Sequence, residues 1–192
     1  MRDEERHQWV MGKAQLLLGL DPIYIDTETT GFEVNDVVVE VAVLDTDGSL
    51  IFKSMVKPNR PIPHQATLVH GITDERVTSA PSWQEVWQEF KLVVEGRVAG
   101  FYNAEFDLRM LKQSCQMNGV KWEYPLQDDF CVMELFAQFY GQWDTRRNKF
   151  RWQNLATAGK YFQLAEQNRH RAADDALLTK LVLEKMAGWI QQ

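Results

Sequence analysis

Asp26 and Glu28 stand two residues apart in Ile23-Tyr24-Ile25-Asp26-Thr27-Glu28-Thr29-Thr30-Gly31, at the end of an apolar run. On a strand, residues two apart point to the same side, so both carboxylates would face one place. Acids so placed have no hydrophobic role and would repel each other unless a cation lay between them. Two more acids have settings that let them join: Asp107 in Asn103-Ala104-Glu105-Phe106-Asp107, and Asp175 in His170-Arg171-Ala172-Ala173-Asp174-Asp175-Ala176. Each of the four also has an ordinary explanation. Strand ends often carry solvated acids, and the first turn of a helix favours Asp through the helix dipole. Thr29-Thr30-Gly31 tips the first pair toward chemistry: Gly31 lets the backbone turn sharply, and the hydroxyls and amides could approach a polar substrate. Asp107 falls four residues after Asn103, so the two share a helix face. His170 lies five residues ahead of Asp175. A loop could swing its imidazole over the same acids, where a neutral histidine is the natural general base. These residue types together point to a metal-dependent enzyme.

Positioning these groups requires a particular order of elements. Trp9, Lys13, Leu16, Leu17 and Leu20 recur at helical spacing, which predicts an amphipathic leading helix over 4–18. A short apolar run, 23–26, has the texture of a buried central strand, and 37–44 is a second strand. Thr46-Asp47-Gly48-Ser49 turns the chain into a third, 50–56. Strands joined this tightly form an antiparallel meander. Glu40 stands among the valines of the second strand with no assigned role, either on an exposed face or near the site. From Pro58 through Pro61, Pro63 and Gly71 the chain reads as loop. Ser82 and Glu85 are spaced as a capping box, opening a helix whose core face is Trp83, Val86, Trp87, Phe90 and Val94. A strand over 98–102 then runs into a helix over 104–118, ended by Gly119. A further strand and helix share 129–140, a polar, basic loop fills 141–151, and helices follow over 152–161 and 172–188. Three strands followed by alternating helices and strands predict an α/β fold, a mixed sheet flanked by helices.

A chain of 192 residues suits one domain with a sizeable core. Its 45% hydrophobic and 25% charged residues exclude a disordered chain. The formal charge of -6 argues against a protein that coats long duplex, but not against an enzyme that holds a few terminal nucleotides. Cys115 and Cys131 lack metal-type spacing and read as small buried residues in a reducing compartment. Leu16-Leu17-Leu18 is the only dense apolar run near the start, too short for a signal peptide or a membrane span. The expectation is a cytoplasmic protein without membrane association.

The three motifs together resemble the DEDDh group of DnaQ-like 3'-5' exonucleases, whose fold is ribonuclease-H-like, with a five-stranded mixed sheet. The resemblance runs from about Ile23 to Met186, and order, spacing and context agree. Asp174 and Asp175 point about 100° apart on a helix, so only one can face a site; the family's spacing selects Asp175. Arg171 stands where the tyrosine variant of these enzymes carries its tyrosine, so this chain resembles the histidine type. The resemblance implies two divalent cations, Mg2+ or Mn2+, held by Asp26, Glu28, Asp107 and Asp175. His170 would accept the proton of the attacking water, and nucleoside 5'-monophosphates would leave from the 3' end.

Substrate contacts are expected at Thr29, Thr30, Gly31, Phe32, His70, Asn103 and Phe106. Phe32 reads equally as a stacking platform or a half-buried loop anchor, and Phe106 also reads as core. Val69-His70-Gly71-Ile72-Thr73 resembles a loop these enzymes carry, although His70, like His7 and His64, is structural by default. Arg146, Arg147, Lys149 and Arg151 would grip phosphates or simply be solvated, and Arg169 and Arg171 would face incoming nucleic acid. Residues 1–20 are then a helical extension, for a partner contact or a homodimer interface, and 21–192 the exonuclease domain. DNA is the favoured substrate, as a single-stranded 3' end. The alternatives are a 3'-5' exoribonuclease and a proofreading accessory subunit partnered with a DNA polymerase.

Overall fold

The computed structural model describes residues 2–165 and 170–189; Arg169 lies outside them. The elements in chain order are α1 (Asp3–Leu18), β1 (Ile23–Thr29), β2 (Val38–Leu44), β3 (Leu50–Met55), α2 (His64–His70), α3 (Asp74–Val77), α4 (Trp83–Val94), β4 (Val98–Phe101), α5 (Ala104–Met117), β5 (Asp128–Cys131), α6 (Val132–Tyr140), β6 (Trp143–Asp144), β7 (Lys149–Phe150), α7 (Leu155–Tyr161) and α8 (Ala172–Ala187). Five strands form one sheet in the order β3-β2-β1-β4-β5. The meander β1-β2-β3 is antiparallel, and β4 and β5 add in parallel beside β1. This is the ribonuclease-H-like mixed sheet expected from the sequence.

β1 lies at the centre of the sheet, covered on both faces. Ile23 and Ile25 point into one core with Val41, Val43, Phe90 and Leu111, beneath α4 and α5. Tyr24 points the other way, into a core with Leu44, Phe136, Leu178 and Val182, beneath α6 and α8. β2 is buried at every position, so it shows none of the polar alternation that marks a half-exposed strand. Ser82 accepts a hydrogen bond from the Glu85 amide, completing the capping box, and α4 buries all five of the apolar residues assigned to its face. Cys115 and Cys131 are both free thiols.

Three local readings are corrected. The stretch after Pro58 holds two short helices, α2 and α3, because Pro63 sets up a first turn and Gly71, in the left-handed region at φ 69°, closes α2. The basic segment is a small hairpin, with Trp143 paired to Phe150 and Asp144 to Lys149. α1 packs through Arg6, Val10 and Ala14, leaving Trp9, Leu16 and Leu20 exposed. Small residues spaced by four bring α1 close to α8, where Gln15 Nε2 donates to the Ala187 carbonyl at 2.9 Å. Among the described residues, no helix is long and apolar enough to cross a membrane.

Candidate active site

Alternation along β1 places the chemistry. Asp26 and Glu28 share the face of Tyr24, toward α8, while Thr27 shares the face of Ile25, toward α5. Asp175 sits in the first turn of α8, buried against that face. One carboxylate oxygen from each of Asp26, Glu28 and Asp175 lies within 4.8 Å of the other two. Asp107 comes from the opposite layer, in the first turn of α5. Its Oδ1 accepts the Thr27 amide at 3.1 Å and the Thr27 hydroxyl at 2.8 Å. The four acids therefore straddle the sheet at the end of β1.

Without cations these acids are hard to ionise together. Burial, then the charges of Asp107, Glu28, Asp175 and Glu40, pushes Asp26 well above the usual carboxylate range. Burial and the charges of Asp175, Glu40 and Asp107 push Glu28 up to about 8, with Arg171 pulling the other way. Burial also raises Asp107 to about 7, although both Thr27 donors favour its ionised form. Three hard oxygen donors converging this closely could hold a divalent cation, whose charge would relieve the crowding. Asp174, half-buried, is not part of the converging group. His170 stands at the rim with its side chain 50% exposed and Nδ1 4.0 Å from Asp175 Oδ2.

The loop after β1 is held by its own hydrogen bonds. Thr30 Oγ1 donates to Asp36 Oδ1 at 2.7 Å and accepts the Val37 amide at 3.0 Å, while the Glu33 amide donates to Asp36 Oδ2 at 2.9 Å. A Cβ on Gly31 would meet Asp36 Oδ2 at 2.4 Å, so this backbone approach needs glycine. From α5, Gln113 Nε2 donates to the Glu33 carbonyl at 2.8 Å, and Arg109 Nη2 donates to the Phe32 carbonyl at 3.2 Å. Phe32 itself is 74% exposed. His70 is buried with both nitrogens engaged: the Ile72 amide donates to Nδ1 at 3.0 Å, which leaves Nε2 to donate to the Thr29 carbonyl at 3.2 Å. Its partners thus fix a neutral ring, and burial lowers its pKa.

Of the expected substrate contacts, Thr29, Thr30, Gly31, Phe32, His70 and Phe106 line one cavity of about 570 Å³, together with Glu28. Asn103 does not; it lines a separate cavity with Glu105, Phe130 and Trp152. The sequence reading gave no role to four participants. Thr27, Asp36 and Gln113 make local hydrogen bonds that no pattern in the sequence announces. Glu40, by contrast, left a signal: a lone acid in a buried strand, directly opposite Glu28 in the register.

Comparison with known proteins gives the family. The family model described as Exonuclease (RNase_T) matches residues 23–183. An uncharacterized exonuclease, CP81, of Escherichia phage 186 is 33% identical over 188 residues, 91% of this chain and 92% of that protein. The DNA polymerase III subunit epsilon of Treponema pallidum is 28% identical, over 79% of this chain and 69% of that one. Among solved structures, Exonuclease X in complex with 5' overhanging duplex DNA is 25% identical with a TM-score of 0.63, covering 88% of this chain and 93% of the other. The chain belongs to the exonuclease family, in its DnaQ-like DEDDh group, and is thereby a nuclease.

Proposed function

We propose that this protein is a metal-dependent 3'-5' exonuclease that removes nucleotides from the 3' end of DNA as nucleoside 5'-monophosphates. The observation that carries the reading is the convergence of Asp26, Glu28 and Asp175 within 4.8 Å, beside His170 and a cavity walled by the Thr29–Phe32 loop. Asp26, Glu28 and Asp175 would hold one cation, and Asp26 with Asp107 a second. When bound, Mg2+ or Mn2+ supplies charge neutralisation and Lewis acidity at the scissile phosphate.

The remaining work falls to the chain's own groups. His170 turns Nδ1 toward Asp175, which leaves Nε2 to take the proton of the attacking water. The neutral Thr29–Gly31 backbone and the apolar walls of Phe32, Val69 and Phe106 receive the terminal nucleoside, with Phe32 placed to stack on a base. Fixing the nucleotide there sets the terminal phosphate against the acids, which is the positional part of the rate enhancement. Residues 1–20 are an extension packed on this exonuclease domain through Val10 and Ala14. Likeness to a polymerase III subunit and to a protein solved with DNA supports DNA as substrate and a polymerase as partner.

The test is product analysis on DNA and RNA of matched sequence, each with Mg2+ or Mn2+. Nucleoside 5'-monophosphates should accumulate, faster from DNA. Faster release from RNA would overturn the choice of sugar, and release of no mononucleotide from either strand would overturn the activity.

A further inference from the structure

The carboxyl group of Glu40 is 0% exposed, faces the same side of the sheet as Glu28, and has no place in the chemistry described so far. Its partners come from the start of α8 and from β3. Oε2 accepts Arg171 Nε at 3.0 Å and the Ala172 amide at 3.1 Å, Oε1 accepts Arg171 Nη2, and Lys53 Nζ lies 3.4 Å from Oε1. Arg171, the residue at the start of α8, offers no side-chain cap of its own. The first amide of α8 is thus capped from β2, and the guanidinium gives two parallel N–H bonds to the carboxylate that grips it.

A buried ion pair of this kind is weak support for stability, because desolvation offsets most of its attraction. It does enforce one geometry. Immediately before the gripped Arg171 stands His170, at φ 52°, a conformation that a non-glycine residue keeps only when its surroundings impose it. Among the described residues the His170 ring makes no hydrogen bond of its own, and its nearest ionic neighbour, Asp175, is 4.0 Å away. The backbone that follows the imidazole is held by these bonds to Glu40.

We infer that Glu40 is a positioning residue: through Arg171 and the Ala172 amide it locks the start of α8 and so aims His170 at the reacting phosphate. This rests on His170 acting as the base proposed above. Glu40 reaches the chemistry from the second strand, touching neither substrate nor cation.

A double-mutant cycle tests it. Glu40→Gln should lower kcat roughly 10- to 100-fold, with KM for an oligonucleotide kept within about twofold. In a His170→Ala background, adding Glu40→Gln should cost nothing further, since there is no base left to misplace. A full multiplicative loss in the double variant would overturn the inference, as would an unchanged kcat in the single one. Arg171→Lys, which keeps the charge but not the paired donors, should repeat the pattern and stands in should Glu40→Gln fail to fold. Amide exchange gives a reading free of activity: the Ala172 amide should lose protection in Glu40→Gln while those of β1 keep theirs. Wild-type protein that cleaves nothing would sink the nuclease reading alone; unchanged exchange at Ala172 would sink the role of Glu40 alone.

Discussion

Thr27 gives both its backbone N–H and its hydroxyl to one oxygen of Asp107, a residue 80 positions further along the chain. The residue between the two acids of the first motif thus anchors the third acid, by pointing through the opposite face of the sheet. Thr27→Val removes one of the two donors at nearly constant volume. Losing such a bond costs about 1 kcal/mol, or about fivefold in the Mg2+ concentration needed for half-maximal rate. A metal titration of the rate would show it, and Thr27→Ser should restore the wild-type curve. Identical curves for Thr27→Val and wild type would mean that Asp107 is held by other means.

Protonation couples the acids to stability. Glu28 rises from 4.5 to about 8 in the metal-free fold, and Asp107 from 3.8 to about 7, burial being the leading cause for both. A carboxylate raised by folding contributes stability that is complete below its unfolded value and is lost as pH climbs through the folded one. The melting temperature in EDTA should therefore fall as pH rises from about 4.5 to about 8. Mg2+ should flatten that slope, because it favours the ionised acids. Asp26→Asn should raise the metal-free melting temperature at pH 8, since burial and the charges of Asp107, Glu28, Asp175 and Glu40 make Asp26 costly to ionise there. Melting curves across pH, with EDTA and with Mg2+, check all three signs.

Gly31→Ala should disturb the loop after β1. The new methyl group would lie 2.4 Å from Asp36 Oδ2, and Asp36 is tied down by Thr30, the Glu33 amide and Arg60. Overpacking of this kind costs about 1–3 kcal/mol. The loop carries Phe32, so KM should rise along with the loss of melting temperature. A variant with wild-type stability and KM would show that Asp36 moves aside freely.

Phe32→Ala tests the stacking role of an aromatic ring that is 74% exposed. Base–aromatic stacking is worth about 1–3 kcal/mol, so KM for single-stranded DNA should rise by roughly fivefold or more. Stability should hold, because so little of the ring is buried. A drop in melting temperature with KM unchanged would instead make Phe32 a loop anchor.

How much of this was legible in the sequence depends on the range of the interaction. β1 and β2 could be read because a run of β-branched and aromatic residues bounded by turns leaves little choice of element. The Ser82–Glu85 box was readable because capping acts across three residues. α2 was hidden because seven residues between Pro63 and Gly71 look like loop punctuation, and its local propensity is weak. The inner face of α1 was misread because its packing uses Ala14 and Val10, small residues chosen for close approach to α8, while Trp9 and Leu16 catch the eye. The chain order of Asp26, Glu28, Asp107 and Asp175 was visible; their placement on two layers of the sheet became clear only once Thr27 and Glu40 had partners.

The central claim is that these acids serve cleavage from the 3' end, and one gel addresses it. A 5'-labelled single-stranded DNA is incubated with Mg2+ and wild-type protein, beside Asp26→Ala, Asp175→Ala, Asp174→Ala and an EDTA control. The account predicts a ladder shortening one nucleotide at a time with the label retained. That ladder should vanish in EDTA, fall on the order of 1000-fold in Asp26→Ala and Asp175→Ala, and persist in Asp174→Ala. A label released at once as a mononucleotide, or a ladder indifferent to Asp26 and Asp175, would contradict it.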